Sequence, residues 1–576
     1  MLDTVIKGGT LIDGTGAPAR RADVGIRDGR VVEVGSISEE AAEAIDADGL
    51  VVTPGFVDPH THYDAQLFWD PAATPSNLHG VTSVIAGNCG FTLAPLAPAD
   101  ADYLRRMMAK VEGMPLPALE TGVPWSWSTF GEYLGALEGN VGLNVGFLVG
   151  HCAIRRNVMG EDAVRREATA DELTAMVHEL ETAISAGGLG FSTTLSFTHS
   201  DGDGEPVASR WASNDEILEL CRAVSRHEGT TLEYVTSGCL RGFSDEEVEQ
   251  MAEMTLAGRR PLNWNVLTID SREPGRYHDQ VAACEHARSR GGTAIALTMP
   301  TLVEMNMSFR NYCALFMLPD WGEVMNLPIP ERIAKLREPS VRQWLNERAH
   351  SPEAGVFARL ASWGRYQIGD TYSDANAGLK GRLVADIAEE QNRGTFDTLL
   401  DIVINDELRT VLWPLPSDDD VASWQMRAEA WEHPLVLIGG SDAGAHLDRM
   451  CGAPYTTTFL ADTLRGRRLT SLERCVQLMT QAPARLFGLR DRGEVRPGAY
   501  ADLVVFDPET VGTSDIALVD DLPGGTSRLA AGATGVHRVV VNGTTIVLDG
   551  VDTGTRPGTV LRSGRDTETV PIPADL

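Results

Sequence analysis

The segment PGFVDPHTHYD (54–64) places His60 and His62 one residue apart at the end of an apolar run. In a strand, side chains at i and i+2 share a face, so both imidazoles can reach one divalent ion. The pair alone supplies two donors, and the rest must come from elsewhere in the chain. Candidates are Cys89 in GNCGF, His151 in VGHCAIR, Glu233 in TTLEYV, Asn265 in NWNV and Asp442 in GGSDAG. Two imidazoles, a thiol and two carboxylates form an ordinary ligand set for a divalent metal. Each also has a plainer reading. An isolated buried cysteine usually packs as a small hydrophobe, and Asp442 could cap a turn. His151 stands open between ligand, substrate contact and hydrogen-bonded core. Glu233, flanked by Leu232 and Tyr234, needs a partner for its buried charge.

These residues share a position: each ends an apolar, strand-like run. Such runs occupy 55–62, 80–90, 143–151, 187–195, 230–238, 260–268, 292–300 and 435–442. Between several of them lie amphipathic stretches near 169–186, 213–228 and 244–258. Ser213 with Glu216, and Ser244 with Glu247, have capping-box spacing. Continuous apolar strands alternating with helices predict a parallel sheet buried on both faces. Eight of them predict an α/β fold, a (β/α)8 TIM-like barrel over 55–484. In such barrels the working residues sit at the C-terminal strand ends. The termini read differently. DTVIKGGTLIDGTG and GLVVT at one end, and YADLVVFDP and GVHRVVVNGTTIVLDG at the other, are short strands joined by Gly-containing turns. They predict a small β-sandwich built from 1–54 and 485–576. Residues 301–434 are too long for one crossover and are expected to form an insertion over the barrel mouth.

The formal net charge of -32 argues against nucleic-acid backbones and anionic membranes, both of which need cationic surface. A small-molecule substrate is the expected partner, and a homo-oligomer is compatible with the composition. The eight cysteines show no C-x-x-C pairing, and the opening MLDTVIKGGT has no signal-peptide pattern. Both features are expected of a cytoplasmic protein.

The order of these pieces resembles the amidohydrolase superfamily over nearly the whole length. More narrowly, GNCGF, VGHCAIR, GLGFSTTL and TQAPARLFGLRDRGEVRPGAYADLVVFDP are similar to the D-aminoacylase, or N-acyl-D-amino-acid deacylase, family. That resemblance implies metal positions at His60, His62, Cys89 and Asp442. The family also expects histidines at the ends of strands five and six, where this chain has Glu233 and Asn265. Three readings follow. One ion is held by His60, His62 and Asp442, with Cys89 or Glu233 completing the set. Alternatively, Glu233 and Asn265 replace the histidines and favour a harder ion, manganese or iron, over zinc. In the third, the metal is lost and the protein only binds. A carbamylated lysine, used elsewhere in the superfamily, is excluded: Lys7, Lys110, Lys335 and Lys380 all lie away from strand ends.

The resemblance implies a hydrolase of carbonyl–nitrogen bonds with zinc as the nominal metal, and the two missing histidines favour one ion over two. A divalent ion brings the pKa of bound water toward about 7 and polarises a carbonyl. Asp442 is then placed to move the water proton to the leaving nitrogen. The family binds the carboxylate of an N-acyl-D-amino acid through an arginine after the last strand. Arg449 has a comparable offset, and a guanidinium suits a carboxylate, although a surface ion pair would explain it equally. His446, His151 and Asn265 are further candidate substrate contacts. Other amides, cyclic amides, carbamates or esters are the alternative substrates. Trp125, Trp127, Trp264, Trp321, Phe309 and Tyr312 either line the mouth or pack.

Overall fold

The computed structural model describes residues 1–302 and 304–574. Contacts divide the chain into two compact units, Met1–Thr301 with Val421–Leu576, and Leu302–Asp420.

The first unit is built on parallel strands that pair in chain order. They are β1 (Phe56–Asp58), β2 (Val81–Ala86), β3 (in two pieces, Asn144–Phe147 and Val149–Gly150), β4 (Gly190–Thr194), β5 (Thr231–Val235), β6 (Leu262–Asn265), β7 (Ala294–Thr298) and β8 (Val436–Ile438). Nearly every residue in them is buried, as the unbroken apolar runs require. A parallel bridge between Thr61 and Ala443 joins the chain beyond β1 to the chain beyond β8. Helices separate the later strands: Ala170–Ser185 before β4, Asn214–Val224 before β5, Asp245–Gly258 before β6 and Pro274–Ser289 before β7.

Two of these helices start with a complete capping box, Thr169 with Glu172 and Ser244 with Glu247. The expected box at Ser213 is only half formed. Ser213 accepts from the Glu216 backbone, but the Glu216 carboxylate turns inward to Arg155 and His151. An ion pair with a buried guanidinium outcompetes a single exposed backbone donor.

Both ends of the chain contribute to one seven-stranded sheet. Leu503–Phe506 runs antiparallel to Val51–Pro54, and the sheet continues through Val536–Val541 and Thr544–Leu548 on one side and Thr10–Leu11 on the other. A four-stranded sheet from the N-terminal part alone contributes Ile6, Val24, Ile26 and Ile45 to the same apolar cluster as Val52, Leu503, Val505 and Val540 of the larger sheet.

The second unit has its own core, in which Trp321 stacks on Trp363 with ring centroids 5.6 Å apart and Phe396, Leu345 and Leu399 fill in around them. It ends at Asp420, earlier than the sequence reading of 434. The helix Val421–Trp431 belongs to the first unit, where Ser423 accepts from the Ser271 backbone at 2.9 Å and Arg427 donates to the Ile269 carbonyl at 3.1 Å. Among the described residues, no helix is long and apolar enough to cross a membrane.

Candidate metal centre

The two histidines follow β1 and are held by its pairing with the chain beyond β8. The His62 N–H donates to the Ala443 carbonyl at 2.7 Å, and the Asp442 N–H donates to the His60 carbonyl at 3.2 Å. Asp442 has φ +57 and His446 φ +50, so this turn keeps two non-glycine residues in the left-handed region. Such strain clusters where the surroundings over-determine a functional geometry. Cys89, φ +57, lies between Gly87 and Gly90 in the turn after β2. A Cβ on Gly90 would stand 3.1 Å from Thr193 Cα, so this turn seats directly on β4. Asn88 fastens it to the histidine strand by donating to the Thr61 carbonyl at 3.2 Å.

Three donor atoms converge as a result. Cys89 Sγ lies 3.5 Å from His60 Nε2 and 3.7 Å from His62 Nε2. A tetrahedral ion with bonds of about 2.1 Å to nitrogen and 2.3 Å to sulfur sets its ligand atoms about 3.5 Å apart. Asp442 Oδ1 is 3.1 Å from His62 Nε2 and 3.7 Å from His60 Nε2. A second set of donors, His62, Glu112 and Asp442, shares two of these residues. Glu112 Oε2 lies 3.6 Å from His62 Nε2.

The electrostatics favour a cation. Asp58, Asp64, Glu112 and Glu233 are buried around the imidazoles. Burial raises Glu233 to about 8 and Glu112 to about 7. Burial, reinforced by the charges of Glu233, Glu112 and Asp442, holds the Cys89 thiol well above its usual range. Burial and the neighbouring His62 push His60 down to about 3. His62 rises to about 10 because Glu112 and Asp442 outweigh its burial. Asp442 overcomes its own burial through the His62 contact and stays below the ordinary carboxylate range. A dication would relieve this surplus of buried acids and let the thiol ionise. The donors therefore fit a divalent metal in type, spacing and charge.

Glu233 does not join either donor set. Its Oε2 accepts from the Cys89 N–H at 2.9 Å, and its Oε1 accepts from Asn265 Nδ2. Through these bonds Glu233 and Asn265 brace the Cys89 turn from β5 and β6, and Glu233 Oε1 stands 4.0 Å from His60 Nδ1. His446 Nε2 lies 3.7 Å from Asp442 Oδ2, and Arg449 pairs with Asp448 at 3.3 Å on the same turn.

His151 is elsewhere and fully committed. Its Nδ1 pairs with Thr193 Oγ1 and its Nε2 with Glu216 Oε1, each at 2.8 Å. Neither ring nitrogen is left for a substrate, so its role is structural. Glu216 also neutralises Arg155, which is wholly buried. Glu216→Ala is expected to lower the unfolding free energy by about 3–5 kcal/mol, because it strands a buried guanidinium. Urea denaturation checks this, and a loss below about 1 kcal/mol, the worth of an exposed pair, would refute it.

Trp127, Trp264 and Trp321 are core residues rather than exposed aromatics. Trp264 and Trp321 are fully buried, Trp264 donating to Cys284 Sγ and Trp321 to the Leu345 carbonyl. Trp127 stacks on Phe68 with centroids 4.9 Å apart.

Sequence reasoning misses Glu112 and His199. Glu112 caps the C-terminal end of the helix Ala101–Val111, the end at which the helix dipole disfavours an acid, and that misplacement is its signal. His199 follows β4, holds Thr194 Oγ1 at 2.9 Å, and is driven to about 3 by burial and then by the charges of His446 and His62.

A family model described as the amidohydrolase family matches residues 43–547. The chain belongs to the amidohydrolase family. Its members' chemistry makes it a metal-dependent hydrolase of carbon–nitrogen bonds other than peptide bonds. It is similar to the D-aminoacylase of Alcaligenes xylosoxydans xylosoxydans, with 31% identity over 567 residues and 97% of each chain covered. The N-acyl-D-aspartate deacylase of the same organism is 32% identical over 569 residues, covering 98% of this chain and 95% of that one. Among solved structures, N-acyl-D-glutamate deacylase from Bordetella bronchiseptica, complexed with zinc and a phosphonate mimic of the tetrahedral intermediate, superposes with a TM-score of 0.63. It is 26% identical and covers 98% of this amidohydrolase and 100% of its own chain.

Proposed function

We propose that this amidohydrolase deacylates N-acyl-D-amino acids with one zinc ion held by His60, His62, Cys89 and Asp442. The observation that carries the reading is that Cys89 Sγ lies within 3.7 Å of both Nε2 atoms, with Asp442 Oδ1 3.1 Å from His62 Nε2. In this reading the eight strands close into a (β/α)8 barrel with its seam at Thr61 and Ala443. The strands of both termini form the sandwich beside it, and the cytoplasm is its setting.

A divalent ion here supplies an acidified water and a polarised carbonyl. The protein does the rest. Asp442 accepts the proton of the attacking water and delivers it to the leaving nitrogen as the carbonyl–nitrogen bond breaks. Glu233 and Asn265 hold Cys89 in place. Arg449 offers the substrate carboxylate a guanidinium, and His446, beside Asp442, contacts the substrate.

Incubating the metal-replete enzyme with N-acetyl-D- and N-acetyl-L-amino acids and with cyclic amides tests the assignment. Free amino acid is expected from the D isomers. Turnover confined to cyclic amides would replace it with the second reading, which the non-histidine residues Glu233 and Asn265 at β5 and β6 favour.

A further inference from the structure

Glu112 is the part of the centre that the proposed reaction leaves unused, and its placement is built rather than incidental. The residue is 3% exposed. Among the described residues its carboxylate makes no hydrogen bond, and the basic atom it faces is His62 Nε2 at 3.6 Å. An ionised carboxylate buried without hydrogen bonds is costly unless a cation offsets it. The backbone fixes it there. The His446 N–H donates to the Glu112 carbonyl at 2.5 Å. The next residue, Gly113, has φ +58, and a Cβ on it would lie 3.0 Å from Arg449 Nη2 and 3.1 Å from His446 Nδ1. Only glycine lets this loop press against the turn that carries Asp442.

We propose that the centre offers a divalent cation two alternative seats that share the Nε2 of His62 and the carboxylate of Asp442, a sulfur-containing seat completed by His60 and Cys89 and an oxygen-rich seat completed by Glu112. The proposal rests on the metal-centre reading above and extends it to the choice of ion. An imidazole nitrogen has one lone pair, so His62 serves one seat at a time and the seats exclude each other. Softness selects between them. Thiolate favours zinc or cobalt, whereas paired carboxylates with one imidazole favour manganese. The identity of the available ion would then decide whether Asp442 is drawn toward Cys89 or toward Glu112.

Titrating metal-free protein with Mn2+, followed by the EPR signal of the free ion, and with Co2+, followed by thiolate-to-cobalt charge-transfer absorption, tests this without any activity assay. Wild-type protein is expected to bind either ion, and Co2+ is expected to displace Mn2+ in a one-for-one exchange. Glu112→Gln should weaken Mn2+ binding by about tenfold or more, the scale of lost metal-site interactions, and leave the cobalt band and its midpoint in place. Cys89→Ser should abolish the band and retain Mn2+. Three results would overturn the proposal: simultaneous binding of both ions by the wild type, unchanged Mn2+ affinity in Glu112→Gln, or equal weakening of both ions. The first needs no variant, so it stands even if Glu112→Gln folds poorly. Failure of the wild type to bind either ion would overturn the metal-centre reading together with this one, whereas the three results above leave that reading intact.

Discussion

Asp442→Asn is expected to lower kcat by about 10²–10⁴-fold, the usual worth of a positioned general acid–base group, with the fold intact. The substitution isolates the proton. Asp442 sits at φ +57, and asparagine is among the few non-glycine residues that tolerate the left-handed region, so the turn through Ala443 and His446 survives. The amide keeps an oxygen facing His62 Nε2, where Oδ1 now lies at 3.1 Å. Some metal affinity should therefore remain. An amide cannot take a proton from water at neutral pH, and the carboxylate is well suited to do so because His62 holds it in its ionised form. The measurement is kcat on the best D-amino-acid substrate, with metal content and circular dichroism recorded on the same samples. Wild-type kcat in a variant of normal metal content would remove Asp442 from the chemistry. A large loss of both metal and rate would make it a ligand first.

What the sequence makes legible divides along a physical line. Strand positions follow from continuous apolar runs, because a parallel strand covered on both faces must be hydrophobic throughout, and β1 to β8 fall inside the expected runs. His60, His62, Cys89 and Asp442 are legible because the ends of those strands bring them together. The box at Ser244 forms because both partners lie within one turn. The box at Ser213 fails because Glu216 finds Arg155 and His151, residues far off in sequence. Glu112 is only half legible for a similar reason: an acid at a helix C-terminus stands out, but what it meets lies far off in sequence. Nothing near it in KVEGMP indicates that the loop folds against His446. Glu233 is half legible: its need for partners is evident from TTLEYV, but the identity of those partners, the Cys89 backbone and Asn265, depends on the alignment of β5 with the turn after β2.

The larger effect on the metal itself is expected at His62 rather than His60. His62 Nε2 lies 3.7 Å from Cys89 Sγ, 3.1 Å from Asp442 Oδ1 and 3.6 Å from Glu112 Oε2, and thus belongs to both donor sets. His60 belongs to the sulfur-containing set alone. His62→Asn should weaken zinc and manganese alike, each by more than the roughly 10–100-fold that losing a supporting hydrogen bond costs. His60→Asn should weaken zinc and spare manganese. Thermal unfolding gives an independent readout, since a ligand bound only to the native state stabilises it by about 2.7 kcal/mol at 100 times its Kd. Added zinc should raise the unfolding midpoint of the wild type and leave that of His62→Asn where it was. The metal-free variant should also unfold at a lower temperature than the metal-free wild type. Without the His62 imidazolium, the buried Glu112 carboxylate faces the half-buried Asp442 with no positive charge between them. Zinc-dependent stabilisation of normal size in His62→Asn would place the ion away from these histidines and refute the shared donor.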